Sequence, residues 1–168
     1  MSLRKIVTVP EPVLRRKAHK VTDFGADLQS LIDDMVETMR AAPGVGLAAP
    51  QVNVSQRVIV IEFGDEEEEG VPPKLYTVVN PEILRPSQEI EKGTEACLSI
   101  PGFLGEVERV ASLTVKGQNR RGQPIRIKAK GWLARIFQHE IDHLDGVLFT
   151  DRALWVRKIE DGEEVPLD

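Results

Sequence analysis

One cysteine, Cys97, stands in the 168 residues, so no disulfide can form within the chain. Such usage suits a reducing cytosol. No apolar run approaches the roughly 20 residues that a membrane span needs. The start, Met1-Ser2-Leu3-Arg4-Lys5, lacks an apolar core of signal-peptide length. A cytoplasmic protein with no membrane partner is therefore expected. An excess of positive charge is also lacking, with 22 Lys and Arg against 27 Asp and Glu. The net charge of −5 argues against a protein that binds nucleic acid through a basic surface. A patch such as Arg15-Arg16-Lys17 leaves room for weak docking on a nucleic-acid-rich machine, although a solvated loop is the simpler account. Internal repeats and low-complexity tracts are missing, and no domain boundary is visible.

What is present suits one domain over residues 1–168, with 41% hydrophobic and 29% charged residues. Prolines and basic residues mark 1–24 as an extended arm. From Ala26 to Arg40, Leu28, Leu31, Ile32, Met35, Val36 and Met39 make the stripe of an amphipathic helix. Asp23 is the candidate cap and Pro43-Gly44 the stop. Strands are expected over Arg57–Phe63, Leu75–Asn80 and Gln88–Lys92, with the acidic run Asp65–Glu69 as a solvated loop tip. Val107–Lys116 and Ile125–Lys130 read as the arms of a hairpin that turns over Gln118–Gln123. A second helix is expected from about Trp132 to Leu144, closed by Gly146. Its apolar residues cover most of its circumference, so it should be buried. The expected class is α+β: short, mostly antiparallel strands packed around a central C-terminal helix, plus an N-terminal amphipathic helix.

That second helix carries His139-Glu140-Ile141-Asp142-His143, with two of the three histidines. Residues four apart share a helix face, so both imidazoles project together. Glu140, offset by about 60° to 100°, reaches a water on the same ion more easily than the ion itself. This is the logic of two ligands beside a general base. On a buried helix, unpaired imidazoles and a carboxylate would each incur a desolvation cost that a divalent cation relieves. The competing account is a pair of satisfied core histidines beside a surface glutamate. His19, in the basic arm, reads as solvated. A catalytic site needs a third protein ligand, and Cys97, Asp151, Glu160, Glu163 and Glu164 all remain candidates.

Three blocks stand in order: Gly44-Val45-Gly46-Leu47-Ala48-Ala49-Pro50-Gln51, Glu95-Ala96-Cys97-Leu98-Ser99, and Gln138-His139-Glu140-Ile141-Asp142-His143. With them the chain resembles the bacterial-type peptide deformylases, from the Pro10–Lys20 arm to about Thr150. The resemblance implies removal of the formyl group from the N-formylmethionine of nascent peptides, with release of formate. It implies Cys97, His139 and His143 as ligands of one divalent ion. Iron(II) is typical; zinc, nickel or cobalt often replaces it in preparations. Glu140 would be the general base, and the Gln51 amide with the Leu98 backbone N–H would hold the developing oxyanion. Gly44, Val45 and Gly46 would line an extended peptide, and Ile136 would wall the methionine pocket. Glu95 would order the Cys97 loop with Arg109 as its partner.

Plainer readings compete for several of these: a helix stop for Gly44, core packing for Val45 and Ile136, surface exposure for Glu95 and Arg109. Two departures stand out. Ala96 replaces the usual glycine, a change expected to restrict the backbone and narrow the groove. The tail ends in Glu160-Asp161-Gly162-Glu163-Glu164, where some members have a basic ribosome-docking helix, so only a transient ribosome contact is left open. A monomer is expected. The rival functions are a metallopeptidase with a late carboxylate ligand and a non-catalytic module with a closed coordination sphere.

Overall fold

Val58, Ile59, Val60 and Ile61 are all 0% exposed, and a strand with no polar alternation has to be covered on both faces. This is strand β2. The computed structural model describes residues 2–64 and 72–164, so the acidic run Asp65–Glu69 lies outside the described residues. The chain runs through helix α1 (Ala26–Ala41), strands β1 (Gly46–Ala48), β2 (Val58–Phe63), β3 (Lys74–Leu84), β4 (Ile90–Cys97), β5 (Ile100–Val110), β6 (Ser112–Gln118) and β7 (Pro124–Lys130). Helix α2 (Gly131–Leu144), a short α3 (Phe149–Arg152) and strand β8 (Trp155–Lys158) follow. Single 3-10 turns occupy Pro12–Arg15 in the arm and Ala49–Val52 after β1.

The strands form two sheets, one ordered β1-β2-β3-β6-β7 and one ordered β4-β5-β8, with antiparallel pairing throughout both. Period-2 alternation then explains β2. Val58 and Val60 face α1, against Ile32, Met35 and Met39. Ile59 and Ile61 face α2, against Ile136, Phe137 and Ile141. Burying each such side chain contributes about 1.5–3 kcal/mol. Cys97, Ile100, Val107, Leu148 and Phe149 form a third cluster around the hairpin of the smaller sheet. Lying between layers, α2 has buried residues nearly all around it.

Gly146 ends α2 with φ at +74°. A Cβ there would also sit 2.6 Å from the Arg15 carbonyl oxygen, so the position demands glycine twice over.

Several sequence expectations are corrected. Asp23 does not cap α1. Gly25 is the N-cap, and Asp23 Oδ1 accepts from the Gly25 N–H at 2.9 Å, a local turn two residues before the cap position. The supposed arm Val107–Lys116 is two strands in two sheets. The chain bends at Ala111, whose N–H donates to Glu89 O, and β5 stays with β4 while β6 pairs with β7. Strand β3 continues past Asn80 through a register shift between Val79 and Glu82. Asn80, at φ +54°, replaces the lost ladder bonds by pairing its amide with Val21 and Gln118. Strand β4 reaches Cys97 rather than stopping at Lys92.

Candidate active site

Cys97 is the last residue of β4, and Leu98-Ser99 make the two-residue turn into β5. This tight turn drives the thiol toward α2. One ligand atom from each of Cys97, His139 and His143 falls within 4.8 Å of the others, and all three residues are buried. Cys97 Sγ lies 3.4 Å from His143 Nε2. His139 turns Nδ1 to Glu95 Oε1 at 2.9 Å, which leaves Nε2 as its ligand atom. Its ring also stacks on Phe149, with centroids 6.2 Å apart. A sulfur and two imidazole nitrogens suit a tetrahedral divalent ion with one position left for chemistry. Burial, then His139 and Arg109, holds His143 well below its ordinary pKa. It is therefore neutral at pH 7, the form that ligates.

The alternative third ligands are engaged elsewhere or turned to solvent. Asp151 accepts from Arg15 at 2.5 Å and from the Leu148 N–H at 2.9 Å, Glu163 pairs with Arg157, and Glu160 and Glu164 are exposed.

Glu140 is fully buried, and its carboxylate lies against Gly46 of β1. A Cβ on Gly46 would fall 2.6 Å from Glu140 Oε2. The glycine of the first block is thus needed for the carboxylate of the third. Gly46→Ala is expected to displace Glu140 and lower kcat by about 10²-fold, with metal content unchanged. Steady-state kinetics beside metal analysis checks it.

Gln51 is fixed at both ends of its amide. Oε1 accepts from the Ala48 N–H at 3.0 Å, and Nε2 donates to Ser99 Oγ at 3.1 Å while lying 3.7 Å from Cys97 Sγ. The amide N–H₂ therefore faces the ligand cluster. The arm reinforces this arrangement: Val7 N donates to Gln51 O at 2.8 Å and Val9 N to Ser99 O at 2.9 Å.

Glu95 and Arg109 are buried, so surface exposure does not describe them. Burial alone would raise the Glu95 carboxyl, but hydrogen bonds from Arg109 and His139 outweigh it and hold its pKa well below the usual carboxylate range. Burial likewise opposes the Arg109 charge, which Glu95 and Asp142 nevertheless hold above its ordinary pKa. Arg109 donates to Glu95 at 3.0 and 2.9 Å and to Asp142 at 2.6 Å.

Gly44 and Val45 are half-buried, and a Cβ on Gly44 would lie 3.0 Å from Leu98 Cδ1, so the first and second blocks abut. Ile136 is 1% exposed within the core, the packing position that competed for it. Ala96 is buried in β4 and is not among the described non-glycine residues with positive φ, which are Asn53, Asn80 and Arg85. Ordinary extended backbone suffices there, so alanine brings no strain.

Residues 3–158 match the family model described as polypeptide deformylase. The chain belongs to that family. It is 52% identical over 165 residues to a peptide deformylase of Symbiobacterium thermophilum, covering 98% of this chain and 73% of the relative. The crystal structure of peptide deformylase from Thermotoga maritima shares 43% identity with a TM-score of 0.84, covering 91% of this chain and 99% of that one. A peptide deformylase from Ehrlichia chaffeensis, solved in complex with actinonin, shares 42% identity with a TM-score of 0.84, covering 90% and 89%. Deformylases are metalloenzymes that hydrolyse the N-formyl amide of N-formylmethionine on nascent proteins.

Sequence reasoning left three contributors without a role. Ser99 holds Gln51. Gln138 bonds both the N–H and the carbonyl of Val110 at 3.0 Å, docking α2 on the end of β5. Arg135 reaches Glu95. The available signal was an arginine within the apolar stretch Trp132–Phe137 of a helix expected to be buried, because a buried guanidinium must find an anion.

Proposed function

We propose that Cys97, His139 and His143 hold one divalent ion and that Glu140, Gln51 and Leu98 carry out deformylation around it. The convergence of the three ligand atoms, two of them on the helix that also carries the buried Glu140, carries this reading. When bound, the ion supplies Lewis acidity that brings the pKa of water toward about 7. Glu140 accepts the proton of the attacking water and returns it to the departing amine. As the formyl carbon becomes tetrahedral, negative charge grows on its oxygen. Gln51 Nε2 and the Leu98 N–H, which sits in the turn outside the strand ladder, donate to it. Each such donor is worth about 2.7–4 kcal/mol in barrier.

Strand β1 lies at the edge of its sheet, next to β2. An extended peptide adds there as a further strand, alongside Gly44, Val45 and Gly46. Ile136 backs the methionine pocket from beneath. Glu95 and Arg109 orient His139 and the Cys97 segment.

A thiolate with two imidazoles favours iron(II) or zinc over harder ions, and iron(II) is the physiological metal proposed here. The enzyme is proposed to act as a cytoplasmic monomer on N-formylmethionyl nascent peptides, with no more than a transient ribosome contact. Consistent with this, no helix among the described residues is long and apolar enough to cross a membrane. Anaerobic purification is expected to yield one metal per chain and stoichiometric formate from formyl-Met-Ala-Ser. If no formate appears with iron, nickel, cobalt or zinc, the catalytic reading fails.

A further inference from the structure

Arg135 stands one helical turn before His139 on α2 and is 4% exposed. Its Nη1 donates to Glu95 Oε2 at 2.6 Å and to Val107 O at 2.9 Å, and its Nη2 donates to Glu91 O at 2.8 Å. Glu91 and Glu95 lie on β4, which ends at Cys97, and Val107 lies on β5. A single guanidinium rooted in the helix of both imidazoles therefore grips the strand that delivers the thiol. Gly93, between the two β4 partners, opens the necessary notch: a Cβ there would lie 2.7 Å from Arg135 Cζ.

The division of labour with Arg109 is geometric. Arg109 belongs to β5 and reaches both carboxylates, Glu95 and Asp142, but it bonds no backbone carbonyl of β4 among the hydrogen bonds described. Arg135 bonds a β4 backbone carbonyl, a β5 backbone carbonyl and the carboxylate that faces His139 Nδ1.

We propose that Arg135 is a positioning residue that sets the spacing between the Cys97 sulfur and the two imidazoles, by clamping β4 to α2 and fixing the tilt of His139 through Glu95. The proposal rests on the ligand assignment given above. Lysine keeps the charge of Arg135 but loses the planar fork that serves three acceptors at once. Gly93→Ala keeps Arg135 itself and pushes its guanidinium out of the notch. The two variants thus perturb one clamp from opposite sides.

The test uses the full-length protein loaded with cobalt(II). Wild type is expected to show a thiolate-to-cobalt charge-transfer band that disappears in Cys97→Ser. Arg135→Lys and Gly93→Ala are expected to shift that band and the d–d bands. Both should lose metal to a chelator roughly 10- to 100-fold faster than wild type. With formyl-Met-Ala-Ser, kcat should fall while KM changes little. A folded Arg135→Lys protein with the wild-type spectrum and wild-type rate of metal loss overturns the proposal. If that variant does not fold, Gly93→Ala decides, and an unchanged spectrum there overturns it equally. A wild-type protein without the thiolate band overturns the ligand assignment and this inference together. A band present in wild type and unmoved in the variants overturns this inference alone.

Discussion

Glu140→Ala is expected to give a folded protein that keeps its metal and loses about 10³-fold or more in kcat. Such a loss corresponds to about 4 kcal/mol in barrier. The carboxylate is fully buried and adjoins the backbone of β1 at Gly46, the edge where the substrate strand is placed. Glu95, the other buried glutamate, is held as an anion by Arg109 and Arg135 and faces the far nitrogen of His139, so it cannot take over. Removing Glu140 thus deletes the only carboxylate placed to relay the proton among the described residues of this site. Its position one residue after His139, off the imidazole face, keeps it out of the ligand set, so metal content should hold. Formate release at saturating formyl-Met-Ala-Ser, with metal analysis of the same sample, decides it. A variant with full metal and full rate would show that another group is the base.

Cys97→Ser should have the opposite signature, with the metal lost first. A thiol ligates as thiolate, a form that a neutral pH readily yields next to a cation, whereas a serine hydroxyl stays protonated. The neighbouring hydroxyl in the hairpin turn, Ser99 Oγ, is engaged by Gln51 Nε2 at 3.1 Å. Affinity is expected to fall by more than about 100-fold, beyond the range typical of residues that only support a ligand. Activity should fall with it. Anaerobic metal analysis after dialysis is the measurement. Unchanged metal and activity would return the third ligand to a late carboxylate, against the observed pairings of Asp151 with Arg15 and Glu163 with Arg157.

The helices were readable in the sequence because their periods are unambiguous. Apolar spacing at 26–40 marked α1, and the nearly continuous apolar surface of 132–144 marked a helix enclosed by other layers. The ligand pair on α2 followed from helix geometry alone. Cys97 did not, since the meeting of β4 with α2 is a tertiary event that spacing cannot encode; only the three blocks together pointed to it. The strands were less legible where ion pairs take the place of apolar burial. Glu91-Lys92-Gly93-Thr94-Glu95 looks polar, yet it lies in β4 because Arg109 and Arg135 neutralise Glu95 and Gly93 makes room for a guanidinium. At Ala111 the β-forming run continues straight through a change of sheet, and nothing in its residue types betrays the bend. Gly46 was read as lining an extended peptide, and the neighbour that needs its missing side chain in this structure is Glu140.

The amino-terminal arm has a practical consequence. Two of its backbone bonds, from Val7 and Val9, lace together the loop of Gln51 and the turn of Leu98-Ser99, which follow strands of different sheets. Residues 7–9 thus act as a drawstring between these two segments. A bulky insertion beside Val7 or Val9 would tug on that cord.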